Sequence, residues 1–228
     1  MVMKLESVVP FGRCLGEYKL MFNLSVQDLE KPIIGVADGP ASFNAEMFAS
    51  GKYVTSVDPL YEFSSRDIKA KFYQVVDSII TQVKATPEDW VWSYHQSPEQ
   101  LKENRIRVLE DFVSDYNKGK LDGRYVNGEL PNLAFADSQF ELALCSHFLF
   151  LYSDQLSYEF HYTSVRELLR VAKEVRIFPL LTLMLHKSPY LRPIMEHLAM
   201  DGFNVTVEKV EYQLQKGGNE MLRIQRLI

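Results

Sequence analysis

IIGVADGPASFNAEMFASGKYVTSVDPLY, residues 33–61, is the stretch on which the reading of this chain turns. Ile33, Ile34 and Val36 make a short apolar run that breaks into a turn rich in glycine and proline. A compact helical stretch then runs to Gly51, and a second, largely β-branched run (Tyr53, Val54, Thr55, Val57) ends on Asp58. The order is strand, tight loop, helix, strand, with a carboxylate at the tip of the second strand. Such a unit suits a nucleoside. Loop amides and a helix N-terminus offer donors and positive dipole to an anionic group. An acid about 20 residues past the loop can accept hydrogen bonds from both ribose hydroxyls. The plain alternative for Asp58 is a carboxylate that caps its own loop.

The turn does not supply the dinucleotide fingerprint Gly-x-Gly-x-x-Gly, because Gly35 and Gly39 are four apart and Ser42 stands three beyond Gly39. It resembles instead the first motif of class I S-adenosylmethionine-dependent methyltransferases, acidic-x-Gly-x-Gly-x-Gly. In that alignment Gly35 takes the acidic position, Ala37 the first glycine, Gly39 the second and Ala41 the third. Only Gly39 keeps its signature residue. Alanine adds little bulk but penalises φ > 0 and close backbone approach. Asp38 is a candidate stand-in for the missing acid.

Two further segments carry the resemblance. Residues 130–152, LPNLAFADSQFELALCSHFLFLY, resemble the family's segment leading into and through its fourth strand, with Asp137, Ser138, Phe140 and Glu141 in the matching places. Near the end of the chain, KEVRIFPLL (173–181) reads as a buried strand and SPYLRPIMEHLAMDG (188–202) as a helix. Residues 204–228 read as two long strands around Lys216-Gly217-Gly218-Asn219, the terminal hairpin of methyltransferase sheets. The resemblance spans roughly residues 10–60 and 125–228 and implies a Rossmann-like α/β fold: a mostly parallel seven-stranded sheet with a C-terminal antiparallel hairpin.

The same resemblance implies a site for S-adenosylmethionine. Asp58 and Pro59 would meet the ribose, and Ala37, Asp38 and Gly39 the methionine portion. Arg13 and Tyr18, ahead of the first strand, would approach the cofactor carboxylate, and Ser146 would close the fourth strand beside it. His147 is the candidate catalytic residue, with an ordinary pKa near 6.5 that suits a general base. Bland readings stand beside each. Asp38 can cap the helix beginning near Ser42. Residues 10–25 can be a packing helix with Leu15, Tyr18 or Lys19, and Phe22 on one face. His147 can be a histidine bonded to backbone at a strand end. His161 reads as structural, at a helix start where Ser164 and Glu167 would form a capping box.

Residues 62–124, about 60 residues where one helix would serve, form the irregularity. Ser64 can cap a helix through DIKAKFYQVVDSIITQV, and Thr86-Pro87-Glu88-Asp89 and Ser97-Pro98-Glu99-Gln100 repeat the start signal. The helix from Pro98 is expected to run to about Lys118, ended by Gly119. This helical insertion is expected to cap the active-site edge of a domain spanning 1–228. Its aromatic run, Trp90, Trp92 and Tyr94, would line a substrate pocket or close over it; the alternative is packing.

Composition fits an enzyme of this kind. The 228 residues include 46% apolar and 24% charged, with a net charge of −5 and a pI near 5.6. That balance argues against general nucleic-acid binding. Cys14 and Cys145 form no CxxC pair and read as reduced thiols. The histidines show no metal-ligand spacing with Cys, Asp or Glu, so no metal is expected. No signal-peptide core and no apolar run of 18 residues occurs, which points to a cytoplasmic protein without a membrane segment. The expected function is methyl transfer from S-adenosylmethionine to a small-molecule acceptor. The alternatives are a non-catalytic module binding S-adenosylmethionine or S-adenosylhomocysteine, and, last, an oxidoreductase.

Overall fold

Ile33–Val36 forms β1 and Val54–Val57 forms β2 in the computed structural model, which describes residues 9–226. Both strands are buried along their whole length, and this is why neither run alternates apolar with polar residues. Between them, α2 (Phe43–Ala49) returns the chain, and Gly51 at φ 75° turns it into β2. Tyr53 stays outside the strand and is exposed. Further strands are β3 (Tyr125–Val126), β4 (Phe140–Ser146), β5 (Ala172–Phe178), β6 (Phe203–Lys209) and β7 (Glu220–Arg226). Their order is β3-β2-β1-β4-β5-β7-β6. Strands β1 to β5 are parallel, and β7 runs antiparallel to both β5 and β6. This is the Rossmann-like methyltransferase sheet, with the one reversed strand next to its edge.

Register places the site. Val36 pairs with Val57 on one side and Cys145 on the other, Val57 with Val126, and Ser146 with Phe178. The four residues or segments after these positions therefore emerge along one carboxyl edge: Ala37, Asp58, the loop near Gly128, and His147.

One sheet face packs on α5 (Tyr158–Val171) and α6 (Leu191–Met200), through Val165, Leu168, Ile194 and Leu198. The other packs on α1 (Leu15–Met21) and α2, through Tyr18, Met21, Phe43 and Met47. Residues of the insertion make a third core. Helix α3 (Ser65–Ala85) presents Ile68, Phe72, Val76 and Val83 to Leu101, Leu109 and Phe112 of α4 (Pro98–Leu121). Each such side chain contributes about 1.5–3 kcal/mol of burial. Ser64 accepts from the Asp67 amide and Ser97 from the Gln100 amide, so both caps sit where the sequence puts them.

Several boundaries differ from expectation. Gly119 does not end α4; the helix continues to Leu121, and Gly123 at φ 73° makes the turn. Gly119 is needed inside the helix, since a Cβ there would lie 2.5 Å from the Tyr125 ring and 2.7 Å from Arg124 Nη2. Residues Pro87–Asp89 form only a single 3₁₀ turn. Helix α5 is capped by Ser157 rather than by a box of Ser164 and Glu167; Glu167 instead accepts from the Leu133 amide and pairs with Arg170. A turn forms at 215–218, the Gly218 amide donating to Gln215 O at 2.9 Å, but the two strands do not run up to it. Strand β6 stops at Lys209, and the following segment leaves the sheet, burying Val210 and Tyr212. It pairs with the insertion, the Val91 amide donating to Leu214 O and the Lys216 amide to Asp89 O.

Among the described residues no helix is long and apolar enough to cross a membrane. Cys14 and Cys145 are both buried free thiols.

Candidate functional site

The turn after β1 explains the altered motif. Ala37 and Gly39 both adopt left-handed backbone, at φ 58° and 56°. For Gly39 this is free of Cβ strain, but Ala37 carries a penalty of about 1–2 kcal/mol. Two successive reversals fold Asp38 back over the strand it has just left. A Cβ added to Gly35 would lie 2.0 Å from Asp38 Oδ2 and 2.6 Å from its carboxyl carbon. The carboxylate of Asp38 thus occupies the volume a side chain at position 35 would take. The acid has moved three residues along the chain and almost nowhere in space.

Asp38 is buried. Its Oδ1 accepts from the Tyr18 hydroxyl at 2.6 Å and its Oδ2 from the Ser56 hydroxyl at 2.7 Å. Burial drives its pKa up to about 7, against those hydrogen bonds, and the charge of Asp58 adds to the rise. The helix-cap reading of Asp38 does not hold, because both oxygens point to other elements. Tyr18 packs as the helix reading has it, its ring stacked on Phe43 at 4.1 Å, while its hydroxyl donates to Asp38 and the residue does not line the cleft described below.

Asp58 begins the turn after β2, and both its oxygens are engaged. The Gly39 amide donates to Oδ2 and the Leu60 amide to Oδ1, each at 2.8 Å. Burial raises its pKa to about 6, opposed by these two amide bonds. Loop capping is therefore a fact, and it leaves the carboxylate two further acceptor positions. Tyr61 completes a clamp by donating its hydroxyl to Gly39 O at 2.7 Å. Both backbone groups of Gly39 are thus held by residues that follow β2. On the side-chain side of Gly39 no atom lies within 4 Å, so the loop faces open space.

His147 follows β4 in left-handed backbone, φ 52°. Its amide donates to Phe178 O at 2.6 Å, and its Nδ1 lies 2.9 Å from Ser146 Oγ. Burial, then the charges of Arg13 and Arg105, hold its pKa well below the usual histidine value, so the ring is neutral at pH 7. The strained backbone turns this side chain onto the carboxyl edge rather than into the sheet core. His161, by contrast, is structural: its two ring nitrogens meet Ser157 O and Leu149 O, each at 2.8 Å.

A cleft of about 860 Å³ runs along this edge. Its walls bring together Arg13, Ala37, Asp38, Gly39, Asp58, Pro59, Ser146 and His147. A smaller chamber of about 100 Å³ adjoins it and shares Arg13 and His147. Trp90 lines that chamber, whereas Trp92 and Tyr94 are found on neither wall. Trp92 packs against the insertion core, and Tyr94 stacks near Tyr212 and touches Cys14 Sγ at 3.5 Å.

Sequence reasoning missed three parts of this site. Beside the expected Arg13, Val9, Pro10 and Phe11 line one wall, with Gly12 so close to the motif loop that a Cβ would sit 2.0 Å from Pro40 O; the Phe-Gly-Arg stretch was the available signal. Lys71, Gln74 and Val75 of α3 contribute another wall. Beneath them lies a buried ionic knot. Arg105 forks Glu17 at 2.8 and 2.9 Å, Tyr212 donates to the same carboxylate at 2.8 Å, and His95 Nε2 lies 3.3 Å from it. Burial opposes the Glu17 charge, but Arg105 and the hydrogen bond from His95 outweigh it and hold the carboxyl well below its usual range.

Uncharacterized protein MJ0045 of Methanocaldococcus jannaschii is 33% identical to this chain over 225 residues, covering 98% of the chain and 99% of that protein. No family model matches the chain. Among solved structures, TnmH superposes with a TM-score of 0.50 at 10% identity, over 93% of this chain and 54% of its own. Magnesium protoporphyrin IX methyltransferase (ChlM) from Synechocystis PCC 6803, with bound SAM, superposes with a TM-score of 0.46 at 13% identity, over 88% of this chain and 73% of its own.

Proposed function

We propose that this chain, which belongs to the same family as the uncharacterized M. jannaschii protein MJ0045 and has the class I methyltransferase fold, transfers a methyl group from S-adenosylmethionine to a small-molecule acceptor. The observation that carries the reading is the restored acid. Asp38 stands in the space above Gly35, beside the open face of Gly39, and Asp58 stands at the next strand tip.

These residues fit the cofactor. Asp58 offers its two remaining acceptor positions to the ribose hydroxyls. Asp38, desolvated and lacking a cationic partner, suits the methionine ammonium. Arg13 lines the same cleft and makes no ion pair among the described residues; with Nη1 donating to Phe11 O, its Nη2 suits the methionine carboxylate and leaves Nε unengaged. Pro59 shapes the ribose end, and the absence of a Cβ at Gly39 leaves room for the methionine chain. S-adenosylmethionine, when bound, supplies a methyl group already activated on a sulfonium sulfur.

The protein's task is then to hold the acceptor in line and exclude water. His147 and Ser146 stand at the end of β4, where the acceptor would lie. A neutral His147 accepts a hydrogen bond from the acceptor and orients it, but burial makes it a weak base. This supports an acceptor that is nucleophilic without a strong base. Trp90 is the aromatic residue kept as a substrate contact; Trp92 and Tyr94 are assigned to packing.

Calorimetric titration with S-adenosylmethionine, S-adenosylhomocysteine and NAD tests the reading. Both sulfur nucleosides should bind, and Asp58→Ala should weaken them by about 1–3 kcal/mol. Binding of NAD with neither sulfur nucleoside binding overturns the assignment.

A further inference from the structure

The chamber beside His147 holds charge that the fold leaves uncompensated. Among the described residues four buried side-chain nitrogen or oxygen atoms lack a hydrogen-bond partner, and two of them are Arg13 Nε and Arg105 Nε. Both arginines line this one chamber. Arg105 is only 1% exposed, and its two terminal nitrogens are spent on the fork to Glu17, so the Nε edge is what remains. Arg13 is satisfied only locally, through Nη1 to the carbonyl of Phe11. Two guanidinium groups thus line the chamber, and only Arg105 is paired with a carboxylate, Glu17. A buried donor without a partner is costly, more so when charged, so an arrangement that retains two points to a ligand that completes them.

The rest of the chamber wall is apolar, built by Val83, Trp90, Leu101 and Leu183 among others. At about 100 Å³ it is smaller than the cavity of about 150 Å³ that holds benzene. An apolar group of about four to six carbons matches it.

We propose that this chamber is the acceptor's recognition subsite and that the acceptor is a small organic acid: its carboxylate lies on the Arg13–Arg105 edge, and a branched aliphatic or compact ring body fills the apolar wall. The word acceptor rests on the methyl-transfer reading; the anion site itself does not. The carboxylate is the handle and not the reacting group, because guanidinium hydrogen bonds draw charge from its oxygens and make it a poor nucleophile. The methylated atom belongs to the part of the acceptor that extends past His147 into the main cleft.

Isovalerate and its neutral near-isostere isovaleramide are the probes, titrated into the full chain with and without saturating S-adenosylhomocysteine and followed by ligand-observed NMR. Isovalerate should bind at least tenfold more tightly than the amide, with S-adenosylhomocysteine still in place. Val83→Phe, or Leu183→Phe if the first variant does not fold, fills the chamber and should weaken isovalerate at least tenfold while keeping S-adenosylhomocysteine affinity. Equal affinity for acid and amide, no saturation at the solubility limit, or displacement of isovalerate by S-adenosylhomocysteine overturns the proposal. Binding of isovalerate by a protein that ignores both sulfur nucleosides would sink the methyl-transfer reading and leave the anion site standing. Binding of S-adenosylhomocysteine without isovalerate does the reverse.

Discussion

Gly35→Ala is the sharpest perturbation available, because it removes nothing and adds a single methyl group. Its Cβ would stand 2.0 Å from Asp38 Oδ2, and the carboxylate is also 2.6 and 2.7 Å away through its carbon and other oxygen. The side chain cannot yield by a rotamer change alone, since both oxygens are held, by Tyr18 and Ser56. Eviction leaves two buried hydroxyl donors without their acceptor, at about 1–3 kcal/mol each. A loss of about 2–6 kcal/mol in unfolding free energy is therefore expected. Asp38→Ala should cost a similar amount by itself, for the same two hydroxyls. The double variant separates clash from propensity. With the carboxylate gone, an alanine at position 35 meets no obstacle and sits in a strand that tolerates it better than glycine. The two costs should overlap, with a coupling of about 2 kcal/mol or more. Urea melts of the four proteins, read by Trp90 and Trp92 fluorescence and far-UV circular dichroism, give the cycle. Additive losses, with coupling below about 0.5 kcal/mol, would refute the claim that Asp38 fills the place of a side chain at 35.

Three further outcomes are expected. Ala37→Gly relieves left-handed backbone and should stabilise the protein by about 1 kcal/mol in the same melts, less the added freedom of the unfolded chain. Asp38 and Asp58 have pKa values raised to about 7 and 6 in the fold, so their protonated forms favour folding. That contribution is complete below about pH 4 and lost as pH rises to 7, about 4 kcal/mol for Asp38, and the stability difference between wild type and Asp38→Asn should change across that window. Binding of S-adenosylhomocysteine needs both ionised, so its affinity should rise between pH 5.5 and 8, with proton release seen as a buffer-dependent calorimetric enthalpy; a flat profile would contradict the assignment of Asp38 to the ammonium. Trp92→Ala should lower stability by about 3–5 kcal/mol without altering acceptor turnover in the folded fraction, while Trp90→Ala should alter turnover as well.

The sheet was readable because strands buried on both faces do not alternate: Ile33–Val36 is a short apolar run, and Val54–Val57 a largely β-branched one, each beside turn residues. Helix starts at Ser64 and Ser97 were readable because capping is local chemistry. Residues 210–216 misled for a related reason. Val210, Tyr212 and Leu214 alternate as a strand would, yet Val210 still bonds Asn219 while Leu214 turns to Val91 of the insertion, and period alone does not name a partner. Gly119 looked like a helix stop, but the demand on it comes from Tyr125 and Arg124, outside its own helix. The Glu17–Arg105 fork joins residues 88 positions apart and left no sequence signature. At the site, strand register lines up Ala37, Asp58 and His147 on the cleft, whereas Tyr18 stays off its wall and Trp92 and Tyr94 were grouped by adjacency that the fold does not respect.

The Glu17 knot also decides how molecules get in and out. It ties α1, α4 and the segment after β6 at one buried carboxylate, so swinging the insertion away as a block would require a desolvated ion pair to separate. At about 3–5 kcal/mol for breaking such a pair, that excursion would be populated in only about one molecule in a thousand. Traffic into the cleft is then expected at the end away from this pair. There Glu62, Phe63 and Lys71 line the cleft, tied by a lysine over an aromatic ring at 4.5 Å, a 3₁₀ turn and the Tyr116 hydroxyl donating to Phe63 O at 3.0 Å, with no buried ion pair. On the proposed reading, the insertion is tied firmly beside the chamber and less so along the cleft, so nucleoside exchange is expected to be faster than acceptor exchange.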